Sequence, residues 1–131
     1  MFMNIMIGIP AYNEEKNIAI LISKLKKITD SIIVCDDGST DLTAEIAEKM
    51  GAKVVKHERN KGYGGAIKTI FSHAGKMDAD VLVTFDADGQ HRIEDIEKVL
   101  GPIKNNKADM VIGSRFLNSQ KIPKYRRAGI K

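Results

Sequence analysis

One feature constrains this chain more than any other. Short apolar runs of strand character alternate with segments whose apolar residues recur at helical spacing. The runs are "NIMIGIP" (4–10), "SIIVC" (31–35), "AKVVKH" (52–57), "ADVLVTF" (79–85) and "ADMVIG" (108–113). Between the first two, Ile18, Leu21, Ile22, Leu25 and Ile28 mark an amphipathic helix starting near Asn13. "STDLTAEIAEKMG" predicts a second helix, with Ser39 or Thr40 as N-cap and Gly51 just past its end. "NKGYGG" reads as a loop, and Ala66, Ile67, Ile70, Phe71 and Ala74 form the helical stripe after it. Ile93, Ile96, Val99 and Leu100 mark a fourth helix that stops near Gly101-Pro102. This order predicts an α/β fold, a mostly parallel sheet with right-handed crossovers and helices on both faces. In such sheets ligands bind beyond the carboxyl ends of the strands, so the residues there carry the functional information.

Composition narrows the class. With 131 residues the chain is expected to form one domain, and 43% hydrophobic content suffices for one core. No apolar run approaches the ~18–20 residues of a membrane span. The start, "MFMNIMIGIP", lacks a basic n-region and a cleavage site and reads as a strand. The single Cys35 rules out an internal disulfide and suits a reducing compartment, so a cytoplasmic location is expected, with Cys35 as a buried thiol. The net charge of +4 is uneven. Arg115, Lys121, Lys124, Arg126, Arg127 and Lys131 form a basic tail with no acidic residue, and residues 1–114 are slightly acidic. The body is therefore not a nucleic-acid binder. The tail can meet phosphates or an anionic membrane surface, or be a solvated segment.

Chemistry gathers at the strand ends. In "DADGQH" two carboxylates, Asp86 and Asp88, follow the fourth strand, and Gly89 lets the chain turn. Their oxygens suit a hard divalent cation, Mg²⁺ or Mn²⁺, to which Gln90 can add an amide oxygen. Capping of the next helix is the competing reading. In "CDDGSTD", Asp36 and Asp37 can accept hydrogen bonds from a ribose hydroxyl or a base N–H, or serve only the turn. "NKGYGGAIKTI" fails the G-x-G-x-x-G pattern because Ile67 holds its last position, and no G-K-[ST] follows. Lys61 in that loop faces either phosphate or solvent. In "IPAYNEEKNI", Pro10 ends the strand and Tyr12 can pack on a base. Glu14 can bond a nucleotide or complement a helix dipole. "IGSRF" carries Arg115, a fork suited to phosphate. There is no G-x-S-x-G elbow and no Cys/His metal spacing, and His57, His73 and His91 do not cluster in sequence.

Taken together, "IPAYNEEKNI", "VCDDGSTDLTAEIA", "NKGYGGAIKTIF", "TFDADGQH" and "VIGSRF" resemble the inverting family 2 glycosyltransferases with the nucleotide-sugar-binding fold called GT-A. The "DADGQH" and "GSRF" forms look closest to the dolichol- or polyprenyl-phosphate branch. The resemblance implies that Pro10, Tyr12, Glu14, Asp36, Asp37, Lys61 and Asp86 hold the nucleotide of a UDP- or GDP-sugar. It implies that Asp86, Asp88 and Gln90 bind the metal, and that Asp88 and Arg115 act at the diphosphate. Arg126 and Arg127 are further phosphate candidates. The implied reaction is inverting transfer to a polyprenyl phosphate, whose oxygen needs no strong general base. No Asp or Glu follows Asp109, which fits such an acceptor or a chain that lacks its acceptor side. Residues 1–116 are expected to form the donor-binding domain, and 117–131 the start of an acceptor-side region. Membrane contact through the basic tail and self-association through uncovered apolar surface are further expectations. Alternatives are a transferase for polysaccharide or glycolipid synthesis and a donor-binding module without turnover.

Overall fold

A computed structural model describes residues 5–77 and 79–87. The expected fourth helix and fifth strand lie outside the described residues, as do Asp88, Gln90, Arg115, Arg126, Arg127 and the proposed boundary after Phe116.

The described elements follow the expected order. They are β1 (Ile5–Ala11), α1 (Ile18–Leu25), β2 (Ile32–Asp36), α2 (Thr43–Lys49), β3 (Lys53–Lys56), α3 (Gly62–Lys76) and β4 (Val81–Thr84). The sheet has the order β3-β2-β1-β4. Every pairing is parallel, with Ile7 opposite Ile32, Ile5 opposite Val81 and Val34 opposite Val54. The chain therefore winds outward from β1 to β3, then crosses over to place β4 on the other side of β1.

Strand periodicity divides the core into two layers. Ile7, Ile9 and Ala11 of β1 share one face with Ile32, Val34, Val81 and Val83, and α1 covers it with Ile18, Leu21, Ile22 and Leu25. Met6, Ile33, Cys35 and Leu82 share the opposite face, and α3 covers that with Ala66, Ile70 and Ala74. Gly8 falls on the α3 side. A Cβ there would stand 2.4 Å from Ile70 Cγ2, so its absence lets α3 lie close against β1.

Three local expectations are corrected. The first helix begins at Ile18 and not near Asn13. Asn13 takes a left-handed backbone (φ 53°), its N–H donates to Ser39 Oγ (2.8 Å) and its Oδ1 accepts from the Thr40 N–H (2.8 Å). Those bonds also remove Ser39 and Thr40 as caps of the second helix, which begins at Thr43. Asp41 satisfies that end, accepting from the Thr43 N–H and hydroxyl through Oδ1 and from the Glu15 N–H through Oδ2. Burial alone would raise the Asp41 carboxyl, but the Thr43 and Glu15 bonds outweigh it and hold the group below its usual range. Finally, Gly62–Gly65 is not a loop but the first turn of α3. Glycine disfavours helix, so this turn needs help from outside itself.

Candidate functional site

The help for α3 comes from the residue just past β2. The first N–H groups of a helix have no partner within it. Here the Lys61 N–H donates to Asp37 Oδ1 (2.7 Å) and the Gly62 N–H to Asp37 Oδ2 (2.9 Å). A carboxylate at a helix N-terminus also complements the macrodipole. Asp37 reaches this position because backbone pairing runs past the strand ends. Its N–H donates to the Ala11 carbonyl (2.8 Å), and the His57 N–H donates to the Asp36 carbonyl (2.9 Å). The ends of β1, β2 and β3 are thus aligned side by side.

Gly38 keeps the two loops in contact. It has φ +82°, and a Cβ on it would meet the Asn60 backbone nitrogen at 2.7 Å and the Arg59 carbonyl carbon at 2.8 Å. Only glycine fits both the backbone and the space.

A cleft of about 300 Å³ opens at these ends. Pro10 and Ala11 line it from the end of β1 with Tyr12 just past it, Asp37 from just past β2, Asn60 from the loop before α3, and Gly62, Tyr63 and Ala66 from the first turns of α3. Tyr12 and Tyr63 are 47% and 55% exposed, while Ala11, Asp37 and Ala66 are buried. The cleft thus combines two exposed aromatic side chains with small buried residues and one buried carboxylate. Such a slot suits a flat, partly apolar ligand carrying a hydrogen-bond donor.

Asp37 is the best-determined group in the cleft. Besides its two backbone donors, its Oδ1 lies 2.8 Å from His57 Nδ1. Burial alone would raise its carboxyl, but the bonds from His57, Lys61 and Gly62 overcome that and lower it below the usual range. Asp37 is therefore an anion, and an acceptor only.

The other expected site residues are placed differently. Pro10 and Tyr12 line the cleft with Asp37, as anticipated for neighbours in one site. Asp36 is fully buried. Its Oδ1 accepts from the Ser39 N–H (3.0 Å), and its Oδ2 has no partner among the described residues. Glu14 does not line this cleft. Its carbonyl accepts from the Asn17 and Ile18 N–H groups and its side chain accepts from Asn17 Nδ2 (2.9 Å), an arrangement that starts α1. Lys61 is exposed and contributes its backbone N–H to Asp37. Asp86 is half-buried just beyond β4, where the Phe85 N–H still pairs with the Gly8 carbonyl (2.9 Å). Its oxygens are hard donors at the carboxyl end of the sheet. Among the described residues no group of three His, Cys, Asp or Glu side chains gathers to hold a metal. Nor is any helix among them long and apolar enough to cross a membrane.

The sequence marks Asn60 and Tyr63 only as part of the strand-end stretch 60–65, and it gives His57 no role. For His57 the available signal was its position one residue beyond β3. For Tyr63 it was an aromatic residue inside a glycine-rich strand-to-helix connection. Cys35 is buried as expected. Burial, with Asp37 and Asp36 adding to it, pushes its thiol up to about 11.

The sequence profile described as "Glycosyl transferase family 2" matches residues 6–130. The chain is 44% identical over 128 residues to the UDP-N-acetylglucosamine–dolichyl-phosphate N-acetylglucosaminyltransferase of Methanococcus voltae, covering 84% of this chain and 51% of that protein. It is 36% identical to the dolichol-phosphate mannosyltransferase of Pyrococcus furiosus, covering 95% and 38% respectively. Among solved structures it resembles glucosyl-3-phosphoglycerate synthase from Mycobacterium tuberculosis in complex with Mn²⁺, UDP-glucose and phosphoglyceric acid. That match has a TM-score of 0.64 at 28% identity and covers 77% of this chain and 39% of the other. The chain thus spans about half, or less, of the length of these relatives. Its parallel sheet, flanked by helices on both faces, is the GT-A architecture, and the chain belongs to glycosyl transferase family 2.

Proposed function

We propose that this chain forms the donor-binding part of a glycosyltransferase that moves a sugar from a UDP- or GDP-sugar to a polyprenyl phosphate, with inversion, at a cytoplasmic membrane face. The observation that carries the reading is the cleft lined by buried Asp37 together with exposed Tyr12 and Tyr63. A carboxylate offers about four acceptor positions. Three are taken by His57, Lys61 and Gly62. The remaining one selects a ligand N–H, and both uracil and guanine present a ring N–H. Tyr12 and Tyr63 would cover the base and exclude water. The relatives named for dolichyl phosphate support the acceptor class, and the Mn²⁺ and UDP-glucose in the structural relative support the donor and metal.

Asp86, with Asp88 and Gln90 following it, would hold Mg²⁺ or Mn²⁺. When bound, that ion supplies charge neutralisation at the diphosphate leaving group. Arg115, with Arg126 and Arg127 in the basic tail, would face phosphate, and their fixed positive charge would complement the same leaving group and an anionic acceptor. The acceptor oxygen is already ionised near neutral pH, so the chain need not remove a proton from it.

Calorimetric titration of UDP- and GDP-sugars, with and without Mn²⁺, tests the reading. One donor should bind, more tightly with Mn²⁺, and Asp88→Ala should remove the metal-dependent gain. A gain untouched by Asp88→Ala sinks the metal assignment. Failure of every nucleotide sugar to bind sinks the donor site.

A further inference from the structure

Beneath the cleft lies a buried polar chain that the reaction does not itself require. His57 is 7% exposed and does not line the cleft. Its Nδ1 lies 2.8 Å from Asp37 Oδ1 and its Nε2 lies 2.8 Å from Thr69 Oγ1. The Cys35 thiol is 3.5 Å from the same Nε2. The chain joins the ends of β2 and β3 to the second turn of α3. Buried polar side chains cost stability unless satisfied, and here both ring nitrogens are.

We infer that His57 and Thr69 are positioning residues for the nucleobase: they orient the Asp37 carboxylate so that its remaining acceptor position is offered to the base. The inference rests on the nucleotide reading of the cleft. Asp37 is an acceptor only, so His57 must carry a proton on Nδ1. Nε2 can then accept from the Thr69 hydroxyl or, in the imidazolium, donate to it. Either form closes the chain and fixes the ring plane. The ring plane in turn fixes the rotation of the carboxylate. Lys61 and Gly62 contribute one backbone N–H to each oxygen, but both come from one short stretch and move with it. His57, one residue past β3, holds the carboxylate from a separate part of the chain, and so prevents a hinge about that single edge. Cys35 stays a neutral thiol, because burial first and then Asp37 and Asp36 push it to about 11, so it adds no competing charge.

The two nitrogens can be separated by substitution. His57→Asn leaves an amide N–H close to where Nδ1 stands, and His57→Gln leaves one close to Nε2. The ligands are UDP and GDP, with ribose 5-diphosphate as the probe that has no base. His57→Asn should retain nucleotide affinity within about threefold, while His57→Gln should lose about tenfold or more, one charge-assisted hydrogen bond's worth. Neither should change ribose 5-diphosphate binding by more than about twofold. In the Asp37→Asn background, His57→Gln should add no further loss. Thr69→Val keeps the ring and the shape of the helix surface and should cost about threefold or more for the nucleotide alone. This last variant serves if His57→Gln does not fold. Equal losses for His57→Asn and His57→Gln overturn the inference, as do equal losses with and without a base. An unchanged Thr69→Val, or additive losses with Asp37→Asn, does the same. If Asp37→Asn weakens UDP or GDP binding and His57→Gln does not, the nucleotide reading stands and this inference falls. If the parent chain binds neither nucleotide, both fall.

Discussion

Replacing Gly38 by alanine should damage the fold and the cleft together. Two costs add. The left-handed backbone at φ +82° costs a residue with a Cβ about 1–2 kcal/mol. The new Cβ would also stand 2.7 Å and 2.8 Å from backbone atoms of Asn60 and Arg59, which cannot rotate away as a side chain would. Overpacking of that kind costs about 1–3 kcal/mol. The expected loss is about 2–5 kcal/mol, a large part of the roughly 5–15 kcal/mol that holds a domain together. Relief of the clash would push Asn60 away from Gly38. The Lys61 and Gly62 N–H groups would move with it and leave Asp37. Urea denaturation of the parent and the variant measures the first effect as a lower midpoint at constant slope. Gly64→Ala is the internal control. It lies in the first turn of α3, a Cβ there meets nothing within 4 Å, and it should stabilise by about 0.5–1 kcal/mol. A Gly38→Ala variant within about 0.5 kcal/mol of the parent would refute the reasoning. So would equal effects at Gly38 and Gly64.

Two further predictions concern buried titratable groups. The Asp37 carboxyl is lowered from 3.8 in the folded state, so its contribution to stability is present above that value and lost as pH falls through the folded one. Denaturant melts of Asp37→Asn should show a steady penalty from about pH 7 to 5 that shrinks below about pH 4; a penalty of the same size at about pH 3 would contradict the proposed anion. Cys35 is buried and pushed up to about 11, so a thiol reagent at about pH 8 should label it only in denaturant. Rapid labelling of the folded chain would mean that the layer between α3 and the sheet is open.

What could be read in the sequence follows from the range of the forces involved. The strands β1, β2 and β4 and the stripe of α1 were legible because each buries a face at its own period, a signal contained within one element. The helix starts were not, because their partners are remote. Asn13 bonds Ser39 and Thr40, and Glu15 is bonded by Leu42 through its carboxylate. Gly62–Gly65 has poor helix propensity and becomes helical because Asp37, just past β2, accepts the Lys61 and Gly62 N–H groups. The cleft was half legible. Pro10, Tyr12 and Asp37 lie at strand ends that any parallel α/β sheet brings together. The sequence gives His57 and Tyr63 no individual role, because their meaning depends on which strands are neighbours, and spacing along the chain does not state that.

The crossover that places β4 beside β1 has a consequence during synthesis. Ribosomes release the chain from its amino end, so β1, β2 and β3 with their helices can assemble from near neighbours. One flank of β1 must wait, because Ile5 pairs with Val81. Until then Ile5–Ala11, apolar along its length, is an open edge that another nascent chain can join. Closing the span between Ile5 and Val81 also carries the largest entropy cost among the described pairings. The arrival of β4, which carries Asp86 just beyond its end, is therefore also what covers that edge of β1.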